Sequence, residues 1–110
     1  MTSTIIANLE KLLDGPRDCA LLRFSLGNEW LKAGDPSKAA EYFRDALERD
    51  ANYSAAWKQL GKALAENGDT QAALDTFARG IAIAEQKGDL QAAKEMNVFA
   101  RRLHPQTQGS

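Results

Sequence analysis

Reactive side chains are few in this sequence, and their company decides what they can do. Glu10, Asp14 and Asp18 lie close together. Clustered carboxylates can act as general acid and base or hold a hard cation. Here they fall at a helix end and the Gly15-Pro16 turn, with no histidine beside them, which reads as a solvated end of the domain. Cys19 is the only cysteine. A thiol at a helix start can have a lowered pKa, but beside Ala20, Leu21 and Leu22 it reads as a small, partly buried residue. His104 is the only histidine and reads as an exposed helix-end residue. One cysteine and one histidine do not make a zinc site of the usual kind. The glycines are spread through turns and helix interiors rather than gathered into a phosphate-binding loop. The expectation is a protein that is not an enzyme, with no catalytic residue, cofactor or metal.

Composition narrows the class further. The chain has 110 residues, enough for one domain. Fourteen basic residues against fifteen acidic ones leave a net charge of -1, which argues against a nucleic-acid partner or a polybasic membrane anchor. No apolar run approaches a membrane span. The N-terminal MTSTIIANLEKLLDG lacks the basic region of a signal peptide. The expected location is the cytoplasm.

The elements that carry these residues are set off by clear breaks. Gly15-Pro16, Gly34-Asp35-Pro36, Gly68-Asp69 and Gly88-Asp89 punctuate the chain, and Asp50-Ala51-Asn52 makes a softer break. In the last three glycine breaks, Gly can end one helix in the left-handed conformation and Asp can cap the next. Between breaks, apolar residues recur at helical spacing. The stripes are Ile5, Leu9, Leu12, Leu13; Leu22, Leu26, Trp30, Ala33; Ala39, Phe43, Ala46, Leu47; Ala56, Trp57, Leu60, Leu64; Ala73, Phe77, Gly80, Ile81, Ala84; and Ala92, Met96, Phe99, Leu103. This pattern predicts an all-α fold of about six antiparallel helices and no strands. Pro105 is expected to stop the last helix, leaving residues 105–110 as a disordered tail.

Self-comparison adds a repeat. Displaced by 34 positions, Leu26-Gly27 falls on Leu60-Gly61, Gly34-Asp35 on Gly68-Asp69, Ala39 on Ala73, Phe43 on Phe77 and Leu47 on Ile81. Gly27 and Gly61 sit mid-helix, where glycine costs about 1 kcal/mol relative to alanine. Such a residue is explained if a neighbour must come close to its backbone. Phe43 and Phe77 are placed to fill the space between the paired helices.

These residues resemble the tetratricopeptide repeat. Trp57-x2-Leu60-Gly61-x2-Leu64 followed by Ala73-x3-Phe77 is similar to the family signature, with Leu64 in place of Tyr. The earlier copy keeps Leu26-Gly27 and Ala39-x3-Phe43, with Arg23 in place of the signature Trp and Trp30 in place of Tyr. Ala51 and Glu85 replace the closing Pro, which predicts a less rigid turn after residue 50 and a helix running from about Thr70 to about Gln86. The resemblance implies a right-handed α-solenoid of helical hairpins. Its expected parts are one domain over 1–104: an N-terminal helix over 3–14, repeats over 20–53 and 54–87, and a capping helix over 88–104.

The resemblance also implies a concave groove lined by the first helix of each repeat. The candidates there are Leu21, Phe24, Asn28 and Leu31 on the first repeat, Lys58, Gln59 and Lys62 on the second, and Lys94 and Arg101 on the last helix. In a peptide groove, Phe24 and Leu31 would meet an apolar side chain, Asn28 the peptide backbone, and Lys58 and Lys62 a carboxylate. The bland assignments remain open. The first helix, through Ile5, Leu9 and Leu12, can cover Leu21, Phe24 and Leu31. Lys58 and Lys62 can be a solvated face, with Glu66 one turn beyond Lys62. Phe24 and Gln59 depart from the Lys and Asn of the family's chaperone-binding carboxylate clamp. The functional expectation is an adaptor that binds a protein or peptide segment. The alternative is a self-associating assembly subunit, a homodimer burying residues such as Val98 or Ile83.

Overall fold

The computed structural model describes the backbone of residues 4–108 and the side chains through residue 103. Six helices follow one another: α1 (Thr4–Glu10), α2 (Ala20–Lys32), α3 (Pro36–Arg49), α4 (Ser54–Glu66), α5 (Thr70–Lys87) and α6 (Leu90–Gln108). No strand occurs among the described residues. The 34-residue period is a period of turns. After α2, Gly34 takes a φ of 86°, and the Asp35 amide donates to the Trp30 carbonyl at 3.0 Å. After α4, Gly68 repeats that φ and Asp69 donates to Leu64 at 2.9 Å. Gly88 closes α5 in the same way, with Asp89 donating to Ala84. This wrap of amides back onto the last helical carbonyls needs a left-handed residue, which glycine adopts without steric penalty.

Capping follows expectation in two of the three turns. The Asp35 carboxylate accepts from the Lys38 amide at 3.0 Å, and Asp89 accepts from the Ala92 amide at 3.3 Å. Asp69 does not cap α5; its carboxylate accepts from the Asn67 side chain instead. The turn after residue 50 lacks proline but is tied at three points. The Asn52 amide donates to Asp50 Oδ1, Trp57 Nε1 donates to the Ala51 carbonyl, and Lys87 Nζ donates to the Asn52 carbonyl.

Packing explains the mid-helix glycines. A Cβ built on Gly27 would lie 2.5 Å from Phe43 Cε1, and one on Gly61 would collide with the Phe77 ring in the same way. Each phenylalanine of α3 or α5 therefore lies against the bare backbone of its hairpin partner. Both rings are fully buried, as are Ala39 and Ala73 one turn earlier. Gly80 makes a third such contact, with Met96 Sδ and Trp57 Cβ where a side chain would be. The hairpins stack so that α2, α4 and α6 form one layer and α3 and α5 the other. The body measures 47 × 33 × 18 Å, and its thin dimension is that of two helix layers.

The ends differ from expectation. The first helix stops at Glu10, short of residue 14, and residue 3 lies outside the described residues. Leu12 and Leu13 donate to Leu9 and Glu10 in tightened turns, and Asp14 turns left-handed at φ 64°. Its rotation also differs: Ile6 is the fully buried residue, and Ile5 is 56% exposed. Cys19 is exposed rather than partly buried. At the other end, α6 continues past Pro105 to Gln108. Proline removes one amide donor, but its fixed φ of about −65° is itself helical. Residues 105–108 are therefore helix rather than tail, and residues 109–110 lie outside the described residues.

Candidate functional site

The layer made by α2, α4 and α6 is hollowed. A cavity of about 530 Å³ lies between α2 and α4, with Asn28, Leu31, Gln59 and Lys62 among its lining residues. Gln59 Nε2 donates to Asn28 Oδ1 at 2.7 Å, joining the two repeats within its lining. Four of the expected groove residues thus meet at one place. Ser25, Glu29 and Lys32 complete the wall. Phe24 sits deeper, its ring centroid 5.8 Å from Phe43 and 4.8 Å from Tyr53. Leu21, one turn before Ser25, is 62% exposed.

The first helix does not roof this hollow. Ile6 packs with Leu22, Leu26 and Tyr42, and Leu9, Leu12, Leu13 and Trp30 surround that cluster. Phe24 and Leu31 pack instead against the main core, which both repeats and α6 share. The physical reason is the face of α2 involved. Leu22 and Leu26 pack with Ile6 and Tyr42 and do not line the hollow, so a helix docked on them lies on its flank.

The two lysines of α4 have different surroundings. Lys58 Nζ lies 2.7 Å from Glu95 Oε1 of α6. That ion pair, followed by the hydrogen bond from Gln91, holds the Glu95 carboxyl below the usual carboxylate range. Lys62 does not pair with Glu66. Its Nζ stands 5.1 Å from the centre of the Phe99 ring, and the Arg102 guanidinium lies 5.8 Å from that ring. Phe77, Phe99, Ala65 and Leu103 form the apolar part of a second cleft of about 250 Å³, with Lys62, Glu66 and Arg102 on its rim. Lys62 borders both cavities.

Lys94 and Arg101 are exposed and line neither cavity. On α6, Glu95 pairs with Lys58, while Phe99 and Arg102 line the second cleft. Their spacing of four and three marks one helix face. That periodicity was available in the sequence, but it does not say which of two polar faces turns toward α4.

The N-terminal carboxylates are engaged structurally. Tyr42 donates its hydroxyl to Glu10 Oε2 at 3.0 Å; burial first, then this bond, pushes the phenol up to about 12. Arg23 reaches Asp18 at 2.6 Å, Asp45 at 3.1 Å and Asp14 at 3.6 Å. The hydrogen bond from Arg23 holds the Asp18 carboxyl well below the usual carboxylate range. Arg23 therefore replaces the signature Trp with an ion cluster. In the second repeat the corresponding pair is Trp57 and Arg79, the guanidinium 5.5 Å from the ring.

A family model described as tetratricopeptide repeat matches residues 24–89. A TPR repeat-containing protein of Pseudomonas aeruginosa is 48% identical over 99 residues, covering 90% of this chain and 94% of its own. The solution structure of a Bordetella parapertussis protein superposes with a TM-score of 0.84 at 39% identity, covering 94% of this chain and 90% of its own. The crystal structure of YrrB, described as a TPR protein with an unusual peptide-binding site, superposes with a TM-score of 0.62 at 25% identity, covering 91% of this chain and 59% of its own. The family-model match over residues 24–89 and a relative 48% identical over most of both chains, together with the 34-residue period, make this chain a member of the tetratricopeptide-repeat family.

Proposed function

We propose that this protein is a non-catalytic adaptor whose concave face, made by α2, α4 and α6, binds a segment of a partner protein. The observation that carries this reading is the hollow between α2 and α4, left unroofed by α1 and lined by the Asn28–Gln59 amide pair. A hollow of that size, walled by Leu31 and a few convergent polar groups, is suited to a peptide. Paired side-chain amides can exchange hydrogen bonds with a peptide backbone. The tetratricopeptide repeat is a protein-interaction module, and the peptide-binding site ascribed to YrrB gives a related precedent. Among the described residues no helix is long and apolar enough to cross a membrane.

The test is photo-cross-linking in an extract of the source cells. One variant carries the cross-linker at Ser25, on the concave face, and another at Ala72, which borders the cavity between α3 and α5 on the opposite layer. The Ser25 variant is expected to capture a heterologous protein that excess untagged chain displaces, while the Ala72 variant does not. Capture only from Ala72 would move the site to the other layer. Adducts only between two copies of the chain would replace this reading with self-association.

A further inference from the structure

The chemistry of the bound segment can be read from the concave face, given that this face is the binding site. Two of its cations are already neutralised, Lys58 by Glu95 and Lys32 by Glu29. Lys62 and Arg102 make no ion pair among the described residues, and both flank the ring of Phe99. Cation–π attraction of this kind is weak at exposed sites. It holds the two cations beside the cleft without satisfying their hydrogen-bond donors. Glu66 on the same rim leaves the charge there net positive.

The cleft beneath is apolar, and its volume of about 250 Å³ falls below the range usual for small-molecule sites. That size suits one side chain. Because Lys62 also borders the larger hollow, a segment lying over Asn28 and Gln59 passes Lys62 as it reaches the cleft. Both cavities are open, so the path has room for chain on either side.

We infer that the partner segment carries an internal Asp or Glu next to a bulky apolar residue. The apolar side chain enters the cleft against Phe77, Phe99 and Leu103. The carboxylate is held between Lys62 and Arg102. A basic residue at that position meets two like charges and is rejected.

The test selects end-blocked random peptides for binding to the full chain, then maps the selected peptides by amide chemical shifts. Peptides with Asp or Glu beside Leu, Ile, Met or Phe are expected, shifting Lys62, Phe99 and Arg102. Replacing the acid by its amide, or introducing Lys62→Gln or Arg102→Gln, is expected to weaken binding about five- to tenfold. Lys62→Arg should retain it, and circular dichroism should show all three variants folded. Groove binders lacking the acidic–apolar pair, or affinity unmoved by Arg102→Gln and by the amide peptide, would overturn this inference and leave the groove reading intact. Peptides that shift only α3 and α5, or no peptides selected at all, would overturn both.

Discussion

Gly61→Ala tests the packing logic at a single atom. Helix propensity favours alanine by about 1 kcal/mol. The added Cβ, however, would collide with the buried Phe77 ring. Overpacking a filled core costs about 1–3 kcal/mol, so the net expectation is a destabilisation of about 1 kcal/mol in urea unfolding. Gly34→Ala would also be unfavourable, but for a different reason: nothing lies within 4 Å of its added Cβ, and the strain comes from its φ of 86°. The distinguishing measurement is a double-mutant cycle. Gly61→Ala should couple to Phe77→Leu by on the order of 1 kcal/mol, because the smaller side chain relieves the clash. Additive effects would show that the glycine is not there for the ring. Both glycines and the rings that fill the gaps were visible in the sequence; how closely each ring lies on the glycine backbone was not.

The helices show how far periodic pattern carries. Helices α2 through α5 begin and end near the expected breaks, since glycine, aspartate and apolar spacing are local signals. The first helix departs most from the periodic pattern. Its seven residues are too few to fix their own rotation, and the stripe of Ile5 gave way to burial of Ile6. What orients α1 is its seat on Leu22 and Leu26 and the bond from Tyr42 to Glu10. The folded phenol titrates above its ordinary value of 10.0, at about 12. A raised folded pKa means the neutral phenol contributes fully below about pH 10, and that contribution is lost as pH rises toward about 12. Unfolding midpoints of the wild type should therefore fall across that interval more steeply than those of Tyr42→Phe. At neutral pH, Tyr42→Phe should be less stable than wild type by about 1 kcal/mol. Parallel alkaline profiles would show that the Glu10 contact does not hold α1.

At the scale of the molecule, stability should be graded from the first helix inward. The two hairpins and α6 share one core, in which Phe43, Phe77 and Met96 are fully buried. Helix α1 rests on a satellite cluster and is shorter than a helix that persists alone in water. Hydrogen exchange is expected to release the amides of α1 first and those around Phe43, Leu60 and Phe77 last, in the global unfolding step. Exchange of α1 together with α4 would instead mark the whole chain as one cooperative unit. Early opening of α1 would leave the hollow between α2 and α4 intact, because that helix lies on the flank rather than across it.

The repeat register, the helices and their turns, and the small residues that admit the aromatic rings were all legible in the amino-acid order. Each depends on neighbours within one or two helical turns, or on the copy 34 positions away. The cavity between α2 and α4 was legible only in part. Asn28, Leu31, Gln59 and Lys62, which line it, could be grouped because α2 and α4 are repeats of each other. Glu95, Phe99 and Arg102 could not, since α6 does not share the 34-residue register and its rotation is set by docking on α4 and α5. The same holds for which lysine is neutralised. Lys58 and Glu95 are 37 residues apart, and no local pattern joins them. That pairing arises when packing brings two helix faces together, and it leaves Lys62 and Arg102 facing the open cleft.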